Sequence, residues 1–244
     1  MVHKVLSGIT AAIRVRWVLS LKRLAFLLLP KTSAYQKFAI LCTARSGSTW
    51  LHTLINSHIN LHSEGETVLA NHRSKIPKPF HQFAYQPYPG FIKAVGLKVF
   101  YASPVYRESL QAVLADKQVK LVWLFREDRL AQFVSFKRAQ MTREWSHQGA
   151  TEQKIRFEIN EFEDFREHQK RADEALSRAL EGRECFKLFY EQLQDQADDV
   201  LHQLQLFLEV KPQKLHSLLK KQSSYNIASQ VSNWEEVESY IKSV

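Results

Sequence analysis

The sequence is poor in the residues that mark several specialised protein classes. Among its 244 residues only two are cysteine, seven glycine and seven proline. Cys42 and Cys185 lie far apart and form no CxxC pair, so the pattern predicts neither a disulfide scaffold nor a structural zinc site. With 45% hydrophobic and 24% charged residues, the composition excludes collagen-like, low-complexity and wholly disordered chains. We therefore expect a globular protein of one large or two small domains.

Acidic residues are missing from the first quarter of the chain, where no Asp or Glu precedes Glu64. Eight of the 34 lysine and arginine residues lie there, namely Lys4, Arg14, Arg16, Lys22, Arg23, Lys31, Lys37 and Arg45. The rest of the chain has 26 cations against 25 anions, so nearly all of the net charge of +9 belongs to this segment. Neither a recognition helix nor an aromatic ribbon accompanies the charge, and no nucleic-acid partner is predicted.

A long uninterrupted apolar run is also missing. Basic residues divide the N-terminal segment into pieces shorter than the roughly 18 residues of a membrane span, and a secretory signal fits poorly. Apolar residues recur there at three- and four-residue steps until Pro30, which predicts a helix; they are Val5, Ile9, Ile13, Trp17, Leu21, Leu24 and Leu28. Two interpretations stay open. The helix binds an anionic membrane surface through residues 4–29, or it packs on the domain as an ordinary helix.

A strand, a turn of small residues and a helix are predicted around residue 45. Residues 38–42 form a short apolar run typical of a strand buried on both faces in a parallel sheet. Helical spacing begins at Trp50 and continues to about His58. The sequence Thr-Ala-Arg-Ser-Gly-Ser-Thr, residues 43–49, lies between the two elements and forms the turn.

This turn has the chemistry of an anion site. Arg45 supplies a planar, permanent positive charge, Gly47 allows close approach of a ligand, and Ser46, Ser48 and Thr49 add hydroxyls to the backbone N–H groups. The expected ligand is a phosphate-like group, and the simpler alternative is a serine-rich turn that caps a helix. In a Walker A loop a lysine stands next to the final hydroxyl residue, whereas here the cation comes first. This order argues against an ordinary ATP or GTP kinase.

A second unit of the same kind follows. Residues 120–125 are an apolar run, Arg126 opens the next turn, and Ser135 lies on a predicted helix. Further strand-like runs occur at residues 96–100 and 185–190. Strands that alternate with helices predict an α/β protein with a P-loop-like three-layer fold, in which helices flank a central parallel β-sheet and anion sites lie at its carboxyl edge.

The segment from Phe38 to Glu66 resembles the 5′-phosphosulfate loop of sulfotransferases that use 3′-phosphoadenosine 5′-phosphosulfate (PAPS). It is most similar to bacterial carbohydrate sulfotransferases of the trehalose and nodulation-factor type. The resemblance implies a 5′-phosphosulfate site made by Arg45, Ser46, Gly47, Ser48 and Thr49. It also implies a 3′-phosphate site at Arg126 and Ser135, with Arg129 and Arg138 as further candidates. Near the C-terminus, Lys221 or its neighbour Lys220 is expected to reach the same phosphate.

Sulfuryl transfer to a hydroxyl needs a base near the attacking oxygen as well as cations around the leaving nucleotide. The resemblance favours Glu66 as the catalytic base, acting with Arg45. Glu64 and His62 remain alternatives, because a histidine has the better unperturbed pKa and a glutamate needs burial to raise its own. Lys98, from a Gly-x-Lys element, is expected to face the acceptor together with Glu64 and His62.

The remaining chain is predicted to complete one domain. Residues 151–181 show the pattern of one long amphipathic helix, and residues 198–208 that of a shorter one. The element Tyr-Glu-x-Leu at residue 190 and the element Asn-x-Glu-Glu at residue 233 also resemble sulfotransferases. We expect residues 1–35 to form a basic amphipathic appendage and residues 36–241 to form the sulfotransferase domain.

The sequence thus predicts a PAPS-dependent sulfotransferase that acts on a hydroxyl of a carbohydrate or glycolipid, with PAPS as co-substrate and without a metal. The alternatives are a P-loop nucleotide-dependent kinase and a non-catalytic basic membrane-surface module. The expected location is the cytoplasm, with peripheral attachment to the inner face of a membrane as the consequence of the first interpretation of the N-terminal helix.

Overall fold

Five parallel strands form the centre of the protein. The computed structural model describes residues 2–65, 84–142, 154–219 and 226–243, except for the side chains of residues 2–9. The strands are β1 (Lys31–Thr32), β2 (Gln36–Cys42), β3 (Leu61–Ser63), β4 (Tyr88–Pro89), β5 (Ala94–Phe100), β6 (Lys120–Phe125) and β7 (Cys185–Phe189). The parallel sheet has the order β3-β5-β2-β6-β7, while β1 and β4 form a separate antiparallel pair.

Helices connect the strands and cover both faces of the sheet. They are α1 (Val2–Leu28), α2 (Ser48–Asn56), α3 (Arg107–Ala115), α4 (Arg129–Thr142), α5 (Ile159–Ala179), α6 (Tyr190–Asp195), α7 (Ala197–Phe207), α8 (Ile227–Gln230) and α9 (Trp234–Ser243). Helices α2 and α7 pack on one face through residues such as Leu51 and Leu204, and α3 and α5 pack on the other through Val113 and Leu176. The predicted three-layer α/β architecture is confirmed.

Strand β2 lies at the centre because its residues are apolar on both faces. Residues 38–42 are completely buried, and Ile40 pairs with Lys98 of β5 on one side and Val122 of β6 on the other. Gly96 of β5 faces the ring of Phe38, where a Cβ atom would approach a ring carbon to 2.1 Å. The glycine of the Gly-x-Lys element is therefore needed to pack the two strands.

Two predicted element boundaries are wrong. Tyr190 was expected to end a strand, but it is the first residue of α6. The helix expected from residue 151 begins at Ile159 and ends at Ala179. The backbone before it is extended because the side chain of Asn233 binds both the N–H and the C=O of Phe157, at 2.9 Å each. Ile155 forms a β-bridge with Val231 in the same region.

The N-terminal helix packs on the domain, but not through its predicted apolar stripe. Val15 and Lys22 are 4% exposed, and Phe26 packs against the cluster of Tyr88 and Ile92. Ile13, Trp17, Leu21, Leu24 and Leu28 of the predicted stripe are instead exposed to solvent. A search of the described helices finds none with the length and hydropathy that a membrane span requires.

Candidate active site

The turn after β2 is held in a left-handed conformation. Arg45 has φ +61° and Gly47 has φ +87°, and α2 begins directly afterwards at Ser48. A Cβ atom on Gly47 would lie 2.3 Å from the Cδ2 atom of Tyr190. Glycine is therefore required here both by its backbone conformation and by the packing of Tyr190 against the turn.

The three hydroxyl residues of the turn have different surroundings. Ser46 is completely buried, and its hydroxyl donates to the carbonyl oxygen of Thr43 at 2.9 Å. Ser48 is 5% exposed, whereas Thr49 is exposed to solvent. The hydroxyl of Ser46 thus stabilises the turn itself. Helix geometry leaves the first backbone N–H groups of α2 without intrahelical partners, and these groups point out of the N-terminal end of the helix.

Arg126 follows β6 and lies beside this turn. Its Nη1 atom donates to the carbonyl oxygen of Arg45 at 3.4 Å, and its guanidinium lies 4.6 Å from the ring centroid of Tyr190. Its Nε atom is buried and has no hydrogen-bond partner among the described residues. Burial of a guanidinium N–H without a hydrogen-bond acceptor costs free energy, and a bound anion would supply that acceptor. Arg126 therefore has the surroundings expected of a residue that binds an anion.

The first helical residue of α6, Tyr190, links the two predicted phosphate sites. It packs against Gly47, stacks on Arg126 and makes an edge contact with Trp50 at 6.1 Å between ring centroids. Sequence analysis gave it no role in the site, because the apolar run that precedes it continues the strand pattern. The only available signal was the Tyr-Glu-x-Leu element itself.

Arg45 is brought to the predicted 3′-phosphate residue Ser135 on α4. The Nε atom of Arg45 donates to the hydroxyl of Ser135 at 2.9 Å. Burial lowers the pKa of Arg45, and the nearby charges of Arg126 and Arg138 lower it further. Arginine remains charged in proteins, so the lowered pKa reflects chiefly the burial of this guanidinium and, after that, the positive charges near it. Such a cluster favours an anion with more than one charge.

The two other candidate arginines have protein partners. Arg129 forms an ion pair with Asp173 and also donates to Gln132 Oε1 at 2.8 Å. Arg138 donates to Gln230 Oε1 at 2.6 Å on α8, and its charge contributes to lowering the pKa of Arg45. Of the two, Arg138 is the one that adds its charge to the cluster, and Arg129 belongs to the network that supports the turn.

Two residues that sequence analysis did not single out support the turns. Gln132 is completely buried and donates to Thr43 Oγ1 at 2.9 Å and to the carbonyl oxygen of Ala44 at 2.8 Å. The carboxylate of Glu191 accepts from the backbone N–H groups of Glu127 and Asp128 at 3.3 and 3.2 Å. Both contacts join residues far apart in sequence, so no local pattern could reveal them.

The predicted acceptor side lies beyond β3. The Oε1 atom of Glu64 lies 2.9 Å from His62 Nε2 and accepts a hydrogen bond from the hydroxyl of Tyr88. Burial raises the pKa of Glu64, but the hydrogen bonds from His62 and Tyr88 outweigh burial and place the pKa below its usual value. Glu64 is therefore a carboxylate whose position is fixed by two neighbours.

His52 and Lys98 lie on the inner side of this segment. His52, one turn after Ser48 on α2, contacts the Ser63 hydroxyl through Nδ1 at 2.9 Å, and its ring would touch a Cβ atom on Gly65 at 3.4 Å. Burial, with a contribution from Lys98, lowers the pKa of His52 to about 4. Lys98 is 3% exposed, so it is part of the interior and not a solvated strand end.

Three predicted site residues lie outside the described residues: Glu66, Lys220 and Lys221. The described residues nevertheless connect the two halves of the site. Helix α2 begins at the turn of residues 43–49, here called the anion turn after its predicted ligand, and it carries His52, which contacts Ser63. The acceptor-side segment is therefore one helical turn away from the predicted phosphosulfate loop.

Comparison with known proteins identifies the family. The model of the sulfotransferase domain family matches residues 36–240. The chain is similar to the sulfotransferase domain from the curacin biosynthetic pathway, with 16% identity, a TM-score of 0.50, and coverage of 83% of this chain and 86% of that one.

Two further solved structures are similar. A sulfotransferase from Alicyclobacillus acidocaldarius has 14% identity, a TM-score of 0.49 and coverage of 86% and 92%. Mouse sulfotransferase SULT7A1 complexed with PAP has 12% identity, a TM-score of 0.45 and coverage of 86% and 76%. No curated protein sequence matches this chain significantly. The family match extends from β2, across both turns with their arginines, to α9, and by this match the chain belongs to the sulfotransferase domain family and is a sulfotransferase.

Proposed function

We propose that this enzyme transfers the sulfuryl group of PAPS to a hydroxyl of a carbohydrate or glycolipid. The observation that carries the choice of donor is the cluster of Arg45 and Arg126, which the hydrogen bond from Arg126 Nη1 to the carbonyl oxygen of Arg45 brings together beside Gly47 and the start of α2. PAPS carries a 5′-phosphosulfate and a 3′-phosphate, and this cluster can neutralise both. The choice of acceptor class is supported by the resemblance of residues 38–66 to bacterial carbohydrate sulfotransferases.

In the proposed reaction, the acceptor oxygen forms a bond to sulfur while the bond between sulfur and the 5′-phosphate oxygen breaks. Negative charge develops on the departing phosphate, where Arg45, Ser48, Thr49 and the N-terminus of α2 stabilise it. Arg126 and Ser135 hold the 3′-phosphate, and Lys221 contributes to the same group. No metal takes part in this scheme.

The acceptor proton passes to a carboxylate, for which Glu66 is proposed. Glu64 has two hydrogen-bond donors on one oxygen and a lowered pKa, which makes it a weaker base than a carboxylate with a raised pKa. We assign Glu64 and His62 to positioning the acceptor. Lys98, which is buried, is proposed to support the acceptor side of the site from the protein interior.

The enzyme is proposed to work in the cytoplasm, at the inner face of a membrane and with α1 as its attachment. A membrane location suits a glycolipid acceptor, because both reactants then meet at one surface.

Calorimetric titration with 3′-phosphoadenosine 5′-phosphate (PAP), the product that remains after transfer, tests the donor site. We expect tight binding without added metal, and a loss of affinity of at least about tenfold in Arg126→Ala, since a charge-assisted contact is removed. Arg156→Ala is the matched control, because it removes an exposed arginine paired with Glu158. Preference for Mg-ATP over PAP would contradict the proposal and favour the kinase alternative.

A further inference from the structure

Five exposed apolar residues of α1 form one continuous surface, here called the outer stripe. It consists of Ile13, Trp17, Leu21, Leu24 and Leu28. Trp17 is 65% exposed and Leu28 is 70% exposed, so these are not side chains at the edge of a packed interface. Clustered exposure of large apolar side chains on one helix face marks a contact surface, whereas single exposed residues carry no such meaning.

The outer stripe cannot turn towards the domain, because the opposite face of α1 is fixed there. The Nζ atom of Lys22 donates to the carbonyl oxygens of Asn56 and Leu61 at 3.0 and 2.5 Å. The ring of Phe26 packs against His62 and Tyr88, with centroid distances of 5.2 and 5.6 Å. Rotation of α1 would break all of these contacts and expose a buried lysine.

Basic residues border the outer stripe on both sides. At about 100° per residue, Arg14 lies on one side of it, and Arg16 and Arg23 lie on the other. All three arginines are exposed, and the sequence has no acidic residue before Glu64. An apolar stripe with a tryptophan and flanking cations matches a surface whose interior is apolar and whose rim is negative.

We propose that the outer stripe docks on a bilayer that contains anionic lipids, with α1 lying in the plane of the headgroups. A second copy of the chain is a poorer occupant, because pairing two such faces would bring arginines of like charge together without any acid on α1 to neutralise them. A bilayer of anionic lipids satisfies both the apolar centre and the basic rim.

This inference deepens the proposed function, on which its consequence for the acceptor rests. Phe26, on the inner face of α1, touches His62, and His62 contacts the Glu64 carboxylate at 2.9 Å. The docked helix therefore lies alongside the proposed acceptor side. A lipid-linked acceptor can reach the enzyme from the membrane on which α1 rests.

Co-sedimentation with vesicles of phosphatidylcholine and phosphatidylglycerol tests the docking. We expect the protein to bind these vesicles and not vesicles of phosphatidylcholine alone, and to be released by salt. The double variant Trp17→Ser, Leu21→Ser should weaken binding by roughly tenfold or more, because two large side chains no longer leave water. The matched control, Leu206→Ser with Ile241→Ser, removes two side chains that are 49% and 42% exposed elsewhere and should bind normally.

Fluorescence locates the contact. The chain has five tryptophans, so Trp17→Phe keeps an apolar residue in the stripe and removes one signal. We expect this variant to sediment with the vesicles but to lose the vesicle-induced blue shift of the wild-type emission. An unchanged blue shift, or equal binding by the Trp17→Ser, Leu21→Ser variant, would overturn the proposal.

Titration of the same proteins with PAP separates the two hypotheses. Normal PAP binding by the stripe variant shows that it is folded, and assigns any loss of sedimentation to the surface itself. If the wild-type protein binds PAP but not the vesicles, the docking surface is wrong and the donor site stands. If it binds the vesicles but not PAP, the donor proposal fails and the docking surface stands.

Discussion

At the scale of single residues, the anion turn depends on contacts that leave no room for substitution. Gly47 combines a positive φ with direct packing by Tyr190, and Tyr190 in turn stacks on Arg126. One tyrosine therefore sets the distance between the backbone of the first turn and the guanidinium of the second. We expect the donor site to tolerate changes at its rim better than changes at this contact.

Gly47→Ala tests this contact. The new Cβ atom would overlap the ring of Tyr190 and force the turn out of its left-handed conformation, so we expect PAP affinity to fall at least about tenfold. Gly182→Ala is the control, since Gly182 has φ +71° with nothing within 4 Å of the new atom. It should destabilise the fold by about 1 kcal/mol and leave the PAP affinity unchanged. Equal PAP binding by wild type and Gly47→Ala would contradict the argument.

The residue types point to the two turns in which we propose the anion site, but they do not show how the side chains are divided between binding the ligand and supporting the turn. Arg45 and Arg126 follow apolar runs that are typical of buried strands, which predicts that both lie at one edge of the sheet. The inward hydroxyl of Ser46 and the bonds of Gln132 to Thr43 and Ala44 depend on tertiary packing. A list of polar residues in a loop cannot distinguish these roles.

At the scale of elements, α1 shows the limit of periodicity. Its three- and four-residue spacing correctly predicted a helix that ends at Leu28, two residues before Pro30. The spacing cannot say whether an apolar stripe meets the protein or another surface. In this helix Lys22 is buried against the domain and Trp17 is exposed, whereas lysine is ordinarily exposed and tryptophan ordinarily buried.

The stability of the packing of α1 on the domain should depend on pH through Lys22. Burial lowers the pKa of Lys22 from 10.5 to about 7. Between these values the unfolded chain binds more protons than the folded one, so stability from this residue rises as the pH increases from about 7. Lys22→Met removes this dependence, and we expect the difference in free energy of unfolding between wild type and variant to shift in favour of wild type with rising pH.

Denaturant unfolding of both proteins at several pH values in this interval measures the difference. Arg23→Met serves as the control, because Arg23 is exposed and next to Lys22 in sequence. Its difference from wild type should not change with pH. A pH-independent difference for Lys22→Met would show that the lysine is protonated in the folded protein and that its two carbonyl partners compensate for burial.

At the scale of the whole molecule, net positive charge and exposed apolar side chains are concentrated in the first quarter of the chain. The chain after residue 63 is nearly neutral, while the first 63 residues hold eight cations and the outer stripe. The molecule therefore has one surface that favours contact with other molecules, and we expect this surface to determine its self-association in solution.

Self-association at high salt is the expected consequence. At high salt, which screens repulsion between arginines, we expect the wild-type protein to elute from a sizing column ahead of the Trp17→Ser, Leu21→Ser variant. A non-ionic detergent that covers the outer stripe should abolish the difference. The Leu206→Ser, Ile241→Ser control should elute with the wild type, and identical elution of all three at high salt would contradict the prediction.

The order of strands in the sheet also determines when the enzyme can become active during synthesis. β2 is made early, yet its neighbours β5 and β6 are residues 94–100 and 120–125, and Tyr190 arrives later still. Helix α1 therefore leaves the ribosome long before all the residues that pack around the anion turn have been synthesised. In the proposed docking, an emerging chain can reach a lipid surface through α1 first, and the proposed donor site is complete only after residue 190 has been added.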